Sequence, residues 1–128
     1  FVENAVAGRP ITVTNPDSTA LDFTWVNDVA KGMAQVVLSP AAVGEAFNIT
    51  RGEGQSLREA IEILRGIFPD LVVEERTETG GYRPDRGSLD ISKARRLVGF
   101  DPSVSLDEGL PVYADWVRQH NHSLGGPG

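Results

Sequence analysis

The sequence contains no cysteine, and this absence excludes disulfide bonds, thiolate nucleophiles and cysteine metal sites. It also lacks a long hydrophobic run, because no stretch approaches the roughly 18 apolar residues that a membrane-spanning helix needs. The first residues have neither the basic start nor the apolar segment of a signal peptide. We therefore expect a cytoplasmic protein with no membrane partner.

Motifs that bind dinucleotides or metals are missing as well. Gly52-Glu53-Gly54 and Gly80-Gly81 lack the third glycine, the preceding strand and the following helix of a dinucleotide fingerprint, so we interpret both as turns. His120 and His122 stand two residues apart without a cysteine or a paired carboxylate at ligand spacing. The sequence predicts no metal site, no cofactor-binding turn and no catalytic residue.

The composition is that of a packed protein with an acidic surface. The 128 residues suit one domain, and the fractions of 40% hydrophobic and 23% charged residues are near globular averages. A net charge of -6 argues against nucleic acid as a partner, since neutralising phosphates requires a basic face. Within this acidic chain, the segment from Arg83 to Arg96 carries five basic residues against two acidic ones, which favours binding of a small anion. Phe1 is not an initiator methionine, so we expect the chain to begin inside a longer product.

Periodicity and turn residues predict an alternation of helices with a few short strands. The predicted helices are Phe1 to Ala7, a helix capped by Asn27 or Asp28 and ending at Ser39, Ser56 to Phe68, Asp90 or Ser92 to Val98, and a last helix after Ser105. The predicted strands are Ile11 to Val13, Leu21 to Trp25, Glu45 to Ile49, and Leu71 to Val73.

Three details of these elements can be tested. Val29, Met33, Val36 and Val37 form one apolar stripe on the second helix. Pro111 would remove a backbone hydrogen bond six residues into the last helix, so we expect that helix to restart near Gly109. Residues 121–128 contain three glycines, one proline and a single aliphatic side chain, which predicts a disordered tail after a domain of residues 1–120.

Four segments together resemble a known family. They are Leu21 to Ala30 (LDFTWVNDVA), Phe47 to Thr50 (FNIT), Leu89 to Pro102 (LDISKARRLVGFDP) and Ser105 to Leu110 (SLDEGL). In these segments the chain resembles the carboxyl-terminal part of the NAD-dependent epimerase/dehydratase family, the extended short-chain dehydrogenase/reductases. The likeness runs from Phe1 to about Gln119.

The resemblance implies an α/β fold, or an α+β-like fragment, in which helices pack with a few short strands and the Rossmann nucleotide-binding core is missing. Family members oxidise a sugar hydroxyl by transient hydride transfer to NAD or NADP, which the amino-terminal lobe holds together with a catalytic Tyr-x-x-x-Lys pair. The present chain has no such pair, so we expect it neither to catalyse alone nor to bind the cofactor alone. Its implied role is to hold a nucleotide-activated sugar.

The resemblance also implies candidate substrate residues. The family strand that corresponds to Leu21 to Val26 commonly begins Arg-Asp-Phe or Arg-Asp-Tyr, and its arginine contacts the substrate diphosphate; here that position is Leu21, which offers no donor. Arg83 and Arg86 become the candidates for the diphosphate, because a guanidinium pairs two donors with phosphate oxygens. Phe23 is a weaker candidate. The alternatives are a core position for Phe23 and, for each arginine, a solvated loop paired with nearby glutamates.

Two partners follow from the same resemblance. The helix from Val29 to Leu38 and the strand from Glu45 to Ile49 would pack onto the sheet of the amino-terminal Rossmann lobe, so the isolated chain should expose apolar surface there. The resemblance is also compatible with a homodimer. The alternative, from a different class, is a noncatalytic binding or assembly module derived from such an enzyme, in which Leu21 marks the loss of phosphate recognition.

Overall fold

A computed structural model describes residues 1–78 and 87–124. The described helices are α1 (Val2–Val6), α2 (Val26–Leu38), α3 (Leu57–Ile67), α4 (Ser92–Val98) and α5 (Leu106–Leu124), with a 3-10 turn at Pro40–Ala42. The described strands are β1 (Ile11–Thr14), β2 (Ala20–Leu21), β3 (Gln55–Ser56) and β4 (Val73–Arg76). The predicted fold class is confirmed, because helices dominate and the strands are few and short. The described residues divide into two compact units, residues 1–19, 56–78 and 107–124 in the first and residues 20–55 and 87–106 in the second.

The first unit is built on a two-stranded parallel sheet. β1 pairs with β4, with Ile11 opposite Val73 and Thr14 opposite Arg76. Ile11 and Val13 point into the core while Thr12 is exposed, as the two-residue period of a strand requires. The helical members of this core are Leu57, Ala60, Ile61 and Leu64 of α3 with Ala114 and Val117 of α5.

Helix α3 begins where the sequence predicts. The Ser56 hydroxyl accepts a hydrogen bond from the Glu59 backbone amide, and the Glu59 carboxylate accepts one from the Ser56 amide at 2.6 Å. This reciprocal pair satisfies two amides that the first turn leaves without a helical partner. The bonds from Ser56 hold the pKa of Glu59 below its usual range.

An exposed ion cluster ties three segments of the first unit together. Arg58 of α3 donates to both Asp17 carboxylate oxygens at 2.9 Å and also to the Glu75 carboxylate on β4. These hydrogen bonds lower the pKa of Asp17 and that of Glu75 from their ordinary values and raise the pKa of Arg58. The cluster therefore favours the charged form of all three groups.

The Arg58 cluster should make stability depend on pH in the acid range. Because the pKa of each carboxyl is lower in the folded state than in the unfolded state, the stabilisation is complete above the unfolded values of about 4 and is lost as pH falls through the folded ones. Urea unfolding of the chain and of Arg58→Met should show a stability difference that shrinks below about pH 4. Arg95→Met, which breaks a more exposed pair with Asp101, is the control. A difference between Arg58→Met and the parent that stays constant from neutral pH to pH 3 would contradict this prediction.

The second unit has a small core around Phe100. Phe100, Ile91 and Ala94 are buried there, and Phe47, Ile49 and Val98 pack against them. Helix α4 ends at Gly99, which has a left-handed φ of 69°. The following residue, Phe100, is thereby turned into the core with no exposed surface.

Helix α2 approaches this core through Gly32. A Cβ atom built on Gly32 would lie 2.7 Å from the Phe100 ring and 2.8 Å from the Ile49 side chain, so only glycine allows this separation. The buried face of α2 carries Asp28 and Gly32, and Met33 and Val37 are exposed. Of the four residues of the predicted stripe, Val29 and Val36 are half-buried and Met33 and Val37 are exposed, so the stripe lies outside the buried core.

Two predicted strands are wrong. In the segment from Leu21 to Trp25 only Leu21 is in a strand, as the second residue of β2. The Thr24 hydroxyl bonds back to Asp22, and α2 already begins at Val26. Such local side-chain bonds compete with a strand ladder. Residues 45–49 form no strand in the described chain, where a ladder would need a hydrogen-bonding neighbour.

The element boundaries differ at three other points. β4 starts at Val73, two residues later than predicted. Helix α5 runs from Leu106 through Pro111 without the predicted restart near Gly109. The same helix continues to Leu124, four residues into the predicted disordered tail, and residues 125–128 lie outside the described residues. The assignment of residues 1–120 as a substrate-binding domain stays a prediction.

No helix in the described residues is long and apolar enough to cross a membrane.

Candidate functional site

The Asp22 carboxylate joins three segments of the second unit. It accepts hydrogen bonds from the Gly52 amide at 3.1 and 3.2 Å and from the Leu89 amide at 3.2 Å. The Thr24 hydroxyl donates to the same carboxylate at 3.4 Å and accepts from the Arg51 amide at 3.0 Å. We call residues 22–24, 51–52 and 87–89 the Asp22 junction. One carboxylate thus fixes backbone from two distant parts of the sequence, at Gly52 and at Leu89.

The Asp22 junction is closely packed. A Cβ on Gly52, whose φ is 78°, would lie 2.9 Å from the Ile91 side chain. A Cβ on Gly54 would lie 3.4 Å from the Ser88 amide nitrogen. The turn that the sequence predicts around Gly52 therefore packs its backbone directly against the segment that begins at Gly87.

Arg51, a residue of the Asp22 junction, links it to Pro102 and Glu53. Its side chain is only 17% exposed; Nη1 donates to the Pro102 carbonyl at 3.4 Å, and Nε pairs with Glu53 at 3.3 Å. Sequence reasoning missed both Arg51 and the role of Asp22. The signal for Asp22 was an acidic residue between the apolar Leu21 and Phe23.

Asp28 holds a second connection in the same unit. This residue is 4% exposed, and its carboxylate accepts from the Ser103 amide and the Val104 amide at 3.0 Å and from the Ser103 hydroxyl at 3.2 Å. The prediction that Asn27 or Asp28 caps α2 is wrong, because the cap position is Trp25 and no side chain caps that end. Asp28 instead fixes the loop before α5.

Asn48 and Asp90 complete the contacts around the junction. Asn48 donates from Nδ2 to the Asp90 carbonyl at 2.9 Å, so the prediction that this side chain satisfies backbone groups is confirmed. The Asp90 carboxylate accepts from the Ser92 amide at 2.8 Å, which lowers the pKa of Asp90. That bond orders the start of α4.

Of the three predicted substrate residues, only Phe23 lies within the described residues. Phe23 is half-buried and belongs to the Asp22 junction, so it is neither a fully buried core residue nor a free surface ring. Arg83 and Arg86 lie outside the described residues. Leu21 ends β2, and its half-buried side chain carries no donor for a phosphate.

The glycine-rich turn does not suit a dinucleotide phosphate. The Gly52 amide, which a phosphate oxygen would need, already donates to Asp22. At the start of α3 the Glu59 carboxylate already accepts a hydrogen bond from the Ser56 amide. Its negative charge disfavours binding of a second anion at this helix end. Among residues 1–78 and 87–124, no group of three or more His, Cys, Asp or Glu side chains is placed to hold a metal ion.

Comparison with known proteins places this arrangement in context. No protein-family model matches the chain. An uncharacterised UDP-glucose epimerase of Bacillus subtilis is 29% identical over 86% of this chain and 35% of its own length. The structure of an epimerase from Methanothermobacter thermautotrophicus superimposes with a TM-score of 0.87 at 26% identity, covering 97% of this chain and 37% of that protein. The proteins and structures that this chain resembles are thus UDP-sugar epimerases and decarboxylases, which are NAD-dependent enzymes of the extended short-chain dehydrogenase/reductase type.

The match covers only part of each family member. A UDP-glucuronic acid 4-epimerase from Bacillus cereus, whose structure is in complex with UDP-glucuronic acid and NAD, gives a TM-score of 0.80 at 27% identity over 92% of this chain and 38% of that enzyme. The chain thus spans just over a third of the length of these relatives, and it corresponds to the carboxyl-terminal portion of an extended short-chain dehydrogenase/reductase. The predicted family and fold are confirmed.

Proposed function

We propose that this chain is the substrate-binding part of an NAD(P)-dependent enzyme that acts on a nucleotide-activated sugar, as an epimerase, dehydratase or reductase. The observation that supports this proposal most directly is the likeness over 92% of the chain to an enzyme whose structure holds UDP-glucuronic acid and NAD. The chain would bind the nucleotide and orient the sugar. The complete enzyme would be cytoplasmic and would carry NAD or NADP. The cofactor would bind in the amino-terminal Rossmann lobe, because the turn at Gly52 does not fit it.

Charge argues for the segment around Arg83 and Arg86 as the diphosphate contact. A diphosphate needs cationic donors, and a guanidinium supplies two of them in a fixed planar fork. Leu21 cannot take this role, because an aliphatic side chain donates no hydrogen bond. Arg51 of the second unit already donates to Pro102 and Glu53. Arg83 and Arg86 therefore remain our proposed contacts, with Phe23 beside the nucleotide.

The second unit has an exposed apolar surface that the proposed Rossmann lobe could cover. Val37 is 82% exposed, Leu38 80% and Val43 84%, and Val26 and Met33 of the same helix are also exposed. Five large apolar side chains in one stretch of 18 residues are more than scattered surface positions would give. We propose that the amino-terminal lobe covers this surface, and a homodimer of the complete enzyme remains compatible with it.

Binding of UDP to the complete protein tests the proposed function. Arg83→Ala and Arg86→Ala together should weaken UDP binding by about 100-fold or more, because each charge-assisted hydrogen bond to a phosphate is worth about 1.5–3 kcal/mol and the double variant removes the donors of both arginines. Isothermal titration calorimetry gives the dissociation constants directly. The matched control is Arg96→Ala, which removes an exposed arginine of α4 from the same basic segment and should leave UDP affinity unchanged.

The outcomes separate the two functions. If the unmodified complete protein binds neither UDP nor a UDP-sugar, the noncatalytic binding or assembly module is the better description, and Leu21 is the observation that favours it. If the unmodified protein binds UDP and the double variant binds equally well, the two arginines are not the diphosphate contact.

A further inference from the structure

We propose that the first unit carries a separate ligand site, a cavity between the end of α1 and the turn after α3 that binds a small zwitterion such as an α-amino acid with an apolar side chain. Arg9 binds the carboxylate of this ligand and Asp70 binds its ammonium group. All residues of the site belong to the first unit, and the site does not depend on the proposed binding of a nucleotide-activated sugar.

The cavity has a volume of about 280 Å³ and is formed by two segments. One segment is the end of α1 with Gly8 and Arg9, and the other is the stretch from Ile67 to Val72. Drug-sized ligands occupy pockets of about 300–1,000 Å³, so this cavity suits a molecule of the size of one amino acid. Its walls include the apolar side chains of Ala5, Val6, Ile67, Phe68 and Leu71.

The Arg9 guanidinium is held in place by an amide rather than by a carboxylate. Its Nε and Nη2 atoms donate to the Asn4 Oδ1 atom at 3.2 and 3.0 Å, and Asn4 Nδ2 donates to the Pro10 carbonyl at 3.4 Å. Within residues 1–78 and 87–124, no carboxylate lies within 4.0 Å of Arg9. A carboxylate does lie within that distance of Arg51, Arg58, Arg65, Arg76, Arg95 and Arg118. The Nη1 side of Arg9 is therefore open to a ligand carboxylate, which a guanidinium binds through two parallel hydrogen bonds.

A tight turn places Asp70 at the same cavity. The Leu71 amide donates to the Phe68 carbonyl at 3.0 Å, so Pro69 and Asp70 occupy the two central positions of this turn. Arg9 and Asp70 both line the cavity, but in the described chain neither Arg9 nor any other cationic side chain lies within 4.0 Å of the Asp70 carboxylate. One cavity thus has a positive and a negative group that do not form an ion pair with each other.

These two charges favour a zwitterion over a simple anion or a simple cation. An anion is attracted by Arg9 but repelled by Asp70 and by the net charge of -6, and a cation is repelled by Arg9. A zwitterion can pair with both groups and has no net charge.

The apolar wall of the cavity favours an aromatic or aliphatic side chain on the ligand. The half-buried Phe68 lines the cavity, and its ring centroid lies 4.6 Å from the guanidinium carbon of Arg118. This contact restrains the ring, so the wall is formed before a ligand binds.

The test is a titration of the chain with L-phenylalanine, followed by NMR of the backbone amides. The amide signals of Gly8, Arg9, Asp70 and Leu71 should shift, with a dissociation constant of about 1 mM for a ligand of this size. Phenylpropionate lacks the ammonium group and phenylethylamine lacks the carboxylate. Each should bind about fivefold more weakly than L-phenylalanine, because each forms only one of the two charged contacts.

Two variants assign the charged contacts. Arg9→Met should weaken binding of L-phenylalanine about fivefold and leave phenylethylamine binding unchanged, and Asp70→Asn should weaken L-phenylalanine equally without weakening phenylpropionate. Arg65→Met is the matched control, because it removes an exposed arginine of α3 that pairs with Glu62 outside the cavity, and it should keep the parent affinity. The comparison of the three ligands needs no variant, so it decides the question even if a variant does not fold.

Three outcomes overturn the inference. The first is that no amide of the cavity shifts up to the solubility limit of L-phenylalanine. The second is that phenylpropionate or phenylethylamine binds as tightly as L-phenylalanine, which would leave one of the two charged contacts without a role. The third is an equal loss of affinity in Arg65→Met and Arg9→Met, which would reduce the effect to the overall charge of the chain. None of these outcomes bears on UDP binding, so the proposed function stands or falls by its own test.

Discussion

Replacing Phe100 with alanine should lower the free energy of unfolding by about 3–5 kcal/mol, which is a large share of the 5–15 kcal/mol that typically stabilises a domain. Phe100 has no exposed surface and is the largest side chain of the core of the second unit. Truncation removes its transfer free energy and leaves a cavity next to Gly32, a residue that has no side chain to fill it.

Urea unfolding of the chain followed by circular dichroism measures this loss. Val37→Ala is the control: it also shortens an apolar side chain of the second unit, but the side chain is 82% exposed, so the change should stay within about 0.5 kcal/mol. A Phe100→Ala variant that unfolds at the same urea concentration as Val37→Ala would show that the Phe100 core does not stabilise the chain.

Replacing Asp28 with alanine should cost about 2–4 kcal/mol. The change leaves the Ser103 and Val104 amides without their acceptor, and a hydrogen bond to a charged group contributes about 1.5–3 kcal/mol. The loop that Asp28 holds leads directly into α5, so its loss should also increase hydrogen exchange at residues 103 and 104.

Asp28→Asn separates the hydrogen bonds from the volume of the side chain. Asparagine keeps one oxygen for the two amides and can donate to the Ser103 hydroxyl, so this variant should lose less than half of the stability that alanine loses. An asparagine variant as unstable as the alanine variant would show that the negative charge, rather than the hydrogen bonds, holds the loop.

Local sequence signals predicted the helices well. The reciprocal pair of Ser56 and Glu59 begins α3, Gly99 ends α4, and Gly8, with a φ of 66°, follows α1. Each of these signals acts within one or two turns of the chain, where backbone amides, side-chain acceptors and left-handed glycines are close in sequence. Two local signals failed: α5 runs through Pro111 without the predicted restart, and the cap position of α2 is Trp25 rather than Asn27 or Asp28.

The strands and the site residues were harder to predict for one shared reason. A strand exists only if another segment supplies the opposite half of its ladder, and no periodicity within Glu45 to Ile49 reports whether that segment is present. Asp22 and Asp28 belong to the same class of problem, since their hydrogen-bond donors lie 30 to 76 residues away. A single sequence contains the acceptor and the donors but not their distance.

The sequence by itself determined the family, the α/β class, the capping box that begins α3 and the acidic charge that disfavours nucleic acid. It did so because these properties depend on residue types, on short spacings and on motifs that survive in linear order. Only the tertiary structure decided that Asp22 joins three segments, that Asp28 is buried against the loop before α5, and that half of the predicted apolar stripe on α2 is exposed. Those features arise from contacts between residues far apart in the chain, and their energies are set by burial and geometry that the linear sequence does not specify.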